Sequence, residues 1–261
     1  MMNTNNSDKI MSVSDEDLFK QPAPNEDCPI CCLPLPNVQS GKTYKSCCGK
    51  VVCSGCQYAV KCSMKKATDD PLCPFCRTPA PSPTELSKRL KKRAEMNDAE
   101  AIFALGNCYN SGSNGFPRNP KKACELWYRA AKLGLAQANY NLGYAYDDGS
   151  IGVELDKEKA RHYWNVAAVG GHVNARYNLS YLENQVGNTD RALKHYMVAA
   201  RGGHNASLTK IRELYIGGYA RKDDFAQALR AHQEYVKEVR SVQRDQAAAA
   251  DNNMRYVLVD F

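Results

Sequence analysis

Residues 136–149 read AQANYNLGYAYDDG, and the same spacing of small, apolar and glycine positions returns in AEAIFALGNCYNSG at 99–112 and VNARYNLSYLENQVG at 173–187. Leu105, Leu142, Leu179 and Ile211 mark one place in four successive units. A second set, Ala123, Ala160, Ala192 and Ala228, opens a second segment in each unit, as in ACELWYRAAKLG, ARHYWNVAAVGG, ALKHYMVAARGG and ALRAHQEYVKEV. Both segments space their apolar residues at helical intervals. A helix pair that recurs every 32 to 37 residues cannot bury its apolar face alone, so the units must stack into an all-α solenoid.

Boundaries follow from the same comparison. Asn119, Asp156, Asn188 and Asp224 stand four residues before the four alanines. Each can accept from the free amides of a helix start, so each is predicted to cap a second helix. Gly134, Gly171 and Gly203 stand eleven residues after the first three alanines, where the chain needs a left-handed residue to leave a helix. The fourth unit lacks this glycine, which predicts a longer closing helix toward Ala250. Trp127, Trp164 and Tyr196 are expected to fill the core, and His172 and His204 to be structural residues of the repeat.

In period the units are tetratricopeptide-like. In detail they resemble Sel1-like repeats, through Ala138, Leu142, Gly143, Tyr146, Gly149, Gly152, Ala160, Trp164, Ala167, Ala168 and Gly171. The resemblance covers residues 97–240, as units 97–135, 136–172, 173–204 and 205–240. It fades in the last, where Ser207 and Ile211 replace Ala and Leu. That resemblance implies a scaffolding or adaptor role, with a partner protein on the concave face. The segment 241–261 is expected to be a helix extension and flexible tail.

Upstream the grammar changes. The chain has 12 cysteines in 261 residues, and ten of them fall between Cys28 and Cys76. Residues 26–80 are rich in Cys, Pro and Gly and poor in apolar residues, so a metal must replace the core they cannot build. Residues 1–25 are polar and expected to be disordered. A linker helix at 81–96 follows, with Ser82 as N-cap, Pro83 at the first position and Glu85 at the third. No stretch resembles a secretory signal or a membrane span, which places the protein in the cytoplasm or nucleus. In that reducing setting, Cys-x2-Cys pairs point to metal ligation in place of disulfides.

The pairs are Cys28 with Cys31, Cys47 with Cys48, Cys53 with Cys56, and Cys73 with Cys76. Eight thiolates suit two tetrahedral Zn2+ ions. Adjacent Cys47 and Cys48 reach one ion only if the backbone turns sharply, which Gly49 permits; otherwise Cys32 or Cys62 substitutes for one of them. Cys108 and Cys124 are expected in the repeat core.

The order from CPIC through CCGKVVCSGC to CPFCR resembles an eight-cysteine RING finger, with Lys50 where the commoner pattern has a histidine. The resemblance implies a cross-brace in which Cys28, Cys31, Cys53 and Cys56 hold one ion and Cys47, Cys48, Cys73 and Cys76 hold the other. A LIM-like order, in which consecutive pairs share an ion, is the rival. The RING resemblance also implies that Ile30, Val60 and Pro74 contact a ubiquitin-conjugating enzyme, although Val60 is smaller than the residue usual there. It further implies that Arg77 is the linchpin that orients the charged enzyme.

Together these features predict a ubiquitin ligase or adaptor, with a conjugating enzyme on the RING and a substrate or partner on the repeats. A non-catalytic zinc-dependent scaffold is the first alternative. Nucleic-acid binding through the zinc module and the run Lys88, Arg89, Lys91, Lys92 and Arg93 is the second; it is less favoured, because a net charge of +7 and one basic run without interleaved aromatics make a thin footprint.

Overall fold

The computed structural model of the chain describes residues 13–23, 25–37, 39–63 and 71–256. Helix α1 (Asp15–Phe19) comes first. An antiparallel hairpin follows, β1 (Lys42–Lys45) and β2 (Lys50–Cys53), in the register Lys42 to Cys53 and Lys45 to Lys50. Helix α2 (Ser54–Ser63) comes next, and a turn held by the bridge from Leu72 to Pro79 completes the small module. Its apolar core is little more than Cys28, Leu35, Val52 and Cys53, too small to hold the segment by itself.

The helical part opens with α3 (Pro83–Glu95), where Ser82 caps the amide of Glu85 and Pro83 takes the first position, as the sequence predicts. Leu90 and Ala94 of α3 are buried in the core of the first repeat, so this helix is part of the solenoid wall as well as a connector. Arg89 pairs with Glu85, Lys91 lies over the Phe116 ring and Arg93 pairs with Asp98. Three charges of the basic run are thus engaged within the molecule.

Eight helices then form four pairs. They are α4 (Ala99–Ser111) with α5 (Pro120–Lys132), α6 (Ala136–Asp148) with α7 (Lys157–Val169), α8 (Val173–Gln185) with α9 (Thr189–Arg201), and α10 (Asn205–Ile216) with α11 (Lys222–Val239). Each pair also packs on the next, which is the stacking that the repeat demands. Gly134, Gly171 and Gly203 all have φ between 85° and 88°, the left-handed exit expected of them.

Within the first two pairs the helices meet through a small-to-large contact. Trp127 and Trp164 are buried against Gly106 and Gly143, and a Cβ on either glycine would stand 2.7 or 2.4 Å from the indole. In the third unit Ser180 takes the glycine place and Tyr196 the tryptophan place, so a smaller ring accompanies the larger neighbour. Cys108 and Cys124 are buried in the core as expected, and burial pushes the Cys124 thiol up to about 11. The two repeat histidines have a defined job. Nδ1 of His172 accepts from the amide of Ala175 and Nδ1 of His204 from that of Ser207, so each imidazole is the N-cap of its helix.

Four expectations change. Asn119 and Asp156 cap α5 and α7 as predicted, and Asn188 stands at the N-cap of α9 but turns its amide to Glu183 instead. Asp224 is not an N-cap: α11 starts earlier, at Lys222, and Asp224 at its third position accepts from the Arg221 amide. The closing helix does not run through to Ala250, because Arg240 is extended and Ser241 caps a separate helix, α12 (Val242–Ala250). Nor are both termini loose. Leu18 of α1 is buried with Trp164, Ala167 and Ala168 of α7, and α12 packs on α2 of the cysteine module. Residues 1–12 and 257–261, the rest of the expected loose ends, lie outside the described residues.

Candidate functional site

Two knuckles of the same design carry four of the cysteine ligand candidates. In the first, the amide of Cys28 donates to the Leu33 carbonyl and that of Cys32 to the Cys28 carbonyl; in the second, Cys73 donates to Thr78 and Arg77 to Cys73. The equivalence puts Cys32 and Arg77 in the same place, and both have positive φ, 53° and 60°. This turn aims the two flanking sulfurs together and sends the residue after them outward. Cys32 is accordingly exposed and takes no part in a cluster.

The hairpin answers the geometric question posed by Cys47 and Cys48. They are not in extended chain but in the four-residue turn between Lys45 and Lys50, where the amides of Cys48 and Gly49 both donate to the Lys45 carbonyl. Gly49 has φ 71°, the left-handed conformation that closes the turn. Lys50 opens β2 with its side chain exposed. Cys53 and Cys56 come from the end of β2 and the first turn of α2.

The eight sulfurs gather into two groups: Cys28, Cys31, Cys53 and Cys56, and Cys47, Cys48, Cys73 and Cys76, each with all its sulfurs within 4.8 Å of one another. First pair meets third, and second meets fourth. Separations are 3.9 Å for Cys28 to Cys56, 3.8 Å for Cys31 to Cys53, 3.9 Å for Cys48 to Cys73 and 3.4 Å for Cys47 to Cys76. Disulfide sulfurs would be about 2.05 Å apart. Four thiolates about 2.3 Å from a tetrahedral ion stand ~3.8 Å apart, so either group could hold a metal ion.

The charges around the groups fit that chemistry. Burial and neighbouring sulfurs push the Cys47 thiol up to about 12, whereas Cys76, beside the Thr78 hydroxyl, falls to about 6. Four sulfurs this close cannot all ionise unless a cation sits among them. The first group also has a cation of its own: Arg244 of α12 is fully buried, with Nη2 3.8 Å from Cys31 Sγ and Nη1 donating to the carbonyls of Pro34 and Val239. Burial works against its charge, but the Cys53 and Cys31 sulfurs more than offset this and hold its pKa above the usual range. Sequence reading missed Arg244, which stands more than 200 residues from the sulfur it touches.

The module is fastened to the repeats at several points. Asp98, N-cap of α4, accepts from the Tyr44 hydroxyl of β1 at 2.6 Å and from Arg93, which also donates to the Ser46 carbonyl beside Cys47. Asn37 bonds the Tyr235 hydroxyl of α11 and the Gly202 carbonyl. Of the other predicted contact residues, Ile30 and Arg77 are exposed, Pro74 is half-buried, and Val60 lines a cleft of about 520 Å³ with Leu72, Pro79 and Leu86. Phe75, between Pro74 and Cys76, is 44% exposed. Among the described residues no helix is long and apolar enough to cross a membrane.

With the geometry in place, comparison with known proteins bears on the helical part. The Sel1 repeat family matches residues 99–135 and 136–172, the units built by α4 with α5 and α6 with α7. Residues 99–172 are two Sel1 repeats. The Sel1 repeat protein from Oxalobacter formigenes is 25% identical, with a TM-score of 0.48 over 61% of this chain and 67% of its own. The protective antigen c5321 of uropathogenic Escherichia coli, which displays an SLR fold, is 24% identical, with a TM-score of 0.48 over 65% of this chain. This chain spans only 37% of that antigen's length. No curated protein matches the chain. Repeats of this family generally bind other proteins.

Proposed function

We propose that the chain is a zinc-dependent adaptor of the RING ligase type. In this reading residues 26–80 recruit a ubiquitin-conjugating enzyme and the Sel1 repeats hold the protein to be modified. The crossed grouping of the cysteine pairs carries the reading, because it agrees with the RING-like order and disagrees with a LIM-like one. Two Zn2+ ions would supply the folding free energy of the module, on the order of 10–16 kcal/mol per structural site in apparent terms, and no step of the reaction.

Ile30 and Pro74 would meet the conjugating enzyme, with the exposed ring of Phe75, which follows Pro74, and with Val60 of the cleft. Arg77, exposed just after Cys76, would donate to both the enzyme and ubiquitin. The thioester is thereby held for attack by a substrate lysine: an isopeptide bond forms, the carbon–sulfur bond breaks and the enzyme's thiol leaves. Catalysis is by orientation alone.

The test is discharge of ubiquitin to free lysine from a panel of loaded conjugating enzymes, with the zinc-loaded chain and with Arg77→Ala. Stimulation that the variant loses supports the reading. No stimulation by a chain that binds two zinc ions and is folded would favour a second reading, a non-catalytic scaffold. One observation favours that alternative: buried Arg244 and the Tyr44–Asp98–Arg93 cluster join module to repeats rigidly, as a scaffold requires.

A further inference from the structure

Helix α1 is seated on the repeats without belonging to any of them. Each unit has its own helix pair, and α1 lies across α7 and α9 of two successive units. Its side chains engage three adjoining sites. Leu18, 2% exposed, fills an apolar slot made by Trp164, Ala167 and Ala168 of α7 with Ala175 and Leu179 of α8. The Phe19 ring lies 4.7 Å from that of His195, with the Arg191 guanidinium 5.2 Å and the Lys194 ammonium 5.7 Å from its centre. The Asp15 carboxylate takes both terminal nitrogens of Arg191, Nη2 at 2.8 Å. Positions 15, 18 and 19 share one helical face, on which Leu18 is buried, Phe19 half-buried and Asp15 exposed at the rim; Glu16 and Asp17 are exposed on the other side.

That is the pattern of a bound peptide: a few anchors on one face of a short helix, seated in a preformed groove. A five-residue helix has no stability of its own. The fit is also incomplete underneath. Arg176, 1% exposed, donates through Nη1 to the Leu18 carbonyl at 2.6 Å, but its Nε and Nη2 have no partner among the described residues, and neither has Nδ1 of buried His195.

We propose that the slot between α7, α8 and α9 is a peptide-binding site of the Sel1 repeats, which α1 occupies in cis. Its partner in trans is a protein segment with an acidic side chain three residues ahead of a Leu-Phe pair on one helical turn. The basic rim of Arg191 and Lys194 selects the acid, the alanine-lined slot selects the leucine, and the segment of this chain sets the threshold that a partner must exceed. Being tethered, α1 competes at an effective concentration of roughly millimolar. The inference rests on the repeats being a partner-binding surface and is independent of ubiquitin chemistry.

The test uses the zinc-loaded full chain and a fluorescein-labelled peptide of residues 13–21, VSDEDLFKQ, followed by anisotropy. The full-chain variant Leu18→Ala/Phe19→Ala, whose own segment cannot compete, should bind the peptide at least ten-fold more tightly than the wild type. Adding Arg191→Glu should cost at least ten-fold, and a peptide carrying the two alanines should not bind. Equal affinity for wild type and variant overturns the proposal, as does no binding up to ~1 mM by a variant that unfolds and holds zinc like the wild type. Should the variant fail to fold, amide exchange of residues 15–19 in the wild type decides. Exchange at least a hundred-fold faster than in α7 and α9 supports a segment that lifts alone, whereas equal protection makes α1 a fixed part of the fold and overturns it. No assay here contains a ubiquitin enzyme, so the two readings fail separately.

Discussion

Arg244 of α12 donates to Cys31 of the first cysteine group across 3.8 Å, with its guanidinium fully buried. An ion held by four thiolates leaves the group with net negative charge, so a buried cation beside it offsets a charge that water cannot reach. The contact ties α12 to the first cysteine pair. Arg244→Met should therefore cost about 3 kcal/mol or more, the usual result of stripping one partner from a buried charge pair. Arg244→Lys should recover only part, since one ammonium cannot reach the Pro34, Val239 and Cys31 acceptors together. Denaturant unfolding measures the loss, and competition with a chelator should release metal from the variant at lower chelator concentration.

Metal content distinguishes the ligands. On the proposed two-zinc reading, Cys47→Ser or Cys48→Ser should lower the bound zinc from two equivalents toward one, and so should Cys73→Ser. Cys32→Ser and Cys62→Ser should leave both in place, because Cys32 points outward from its knuckle and neither residue joins a group. Elemental analysis of purified variants checks this, and retention of two ions by Cys47→Ser would return Cys32 or Cys62 to consideration.

Much of this site was legible because its determinants are local. A Cys-x2-Cys pair makes its own knuckle, and Gly49 beside Cys47 and Cys48 announces a turn. The helix pairs were legible for the same reason, since periodicity and caps lie within a few residues of what they control. The misses are long-range. Burial of Arg244 depends on α12 reaching a module more than 200 residues earlier, and no pattern around SVQRDQAAAA marks it. In DEDLF, two apolar residues in a polar stretch carry no period, and the slot that receives them exists only once α7, α8 and α9 are packed. Asp224 was misplaced because a capping box puts an acceptor at either end of the first turn, and one aspartate cannot say which end it is.

The contact of Gly143 with Trp164 yields a coupled prediction. Gly143→Ala places a methyl 2.4 Å from the indole Cδ1, so helix or ring must shift at a cost of about 1–3 kcal/mol. Trp164→Tyr alone leaves a cavity and should also destabilise. The third unit joins Ser180 to Tyr196, so Gly143→Ser/Trp164→Tyr should lose less than the sum of its single changes, with a coupling of about 1 kcal/mol or more. Urea unfolding of the four proteins in the cycle measures it, and strict additivity would show that these two positions do not set one another's size.

Acid should loosen the repeats through their capping histidines. His172 uses Nδ1 to accept from Ala175 and shares its Nε2 with Gln137 Oε1 at 2.8 Å, which requires the neutral ring. His204 uses Nδ1 in the same way toward Ser207. Burial, with Lys42 and His204 as lesser causes, lowers His172 to about 3, and burial, with His232, lowers His204 to about 4. Both values lie below the ordinary 6.5, so the unfolded chain binds more protons than the folded one between those limits. Stability is therefore complete above pH ~6.5 and falls as the pH drops toward 4. Each histidine should remove on the order of 1–2 kcal/mol between pH 7 and 5. His172→Asn and His204→Asn keep a capping acceptor and discard the titration, so the double variant should lose correspondingly less over that range. Urea unfolding of both proteins at pH 7 and 5, each with its metal content measured, separates this loss from any release of zinc. Parallel losses in the two proteins would mean that the histidines are not the groups that respond.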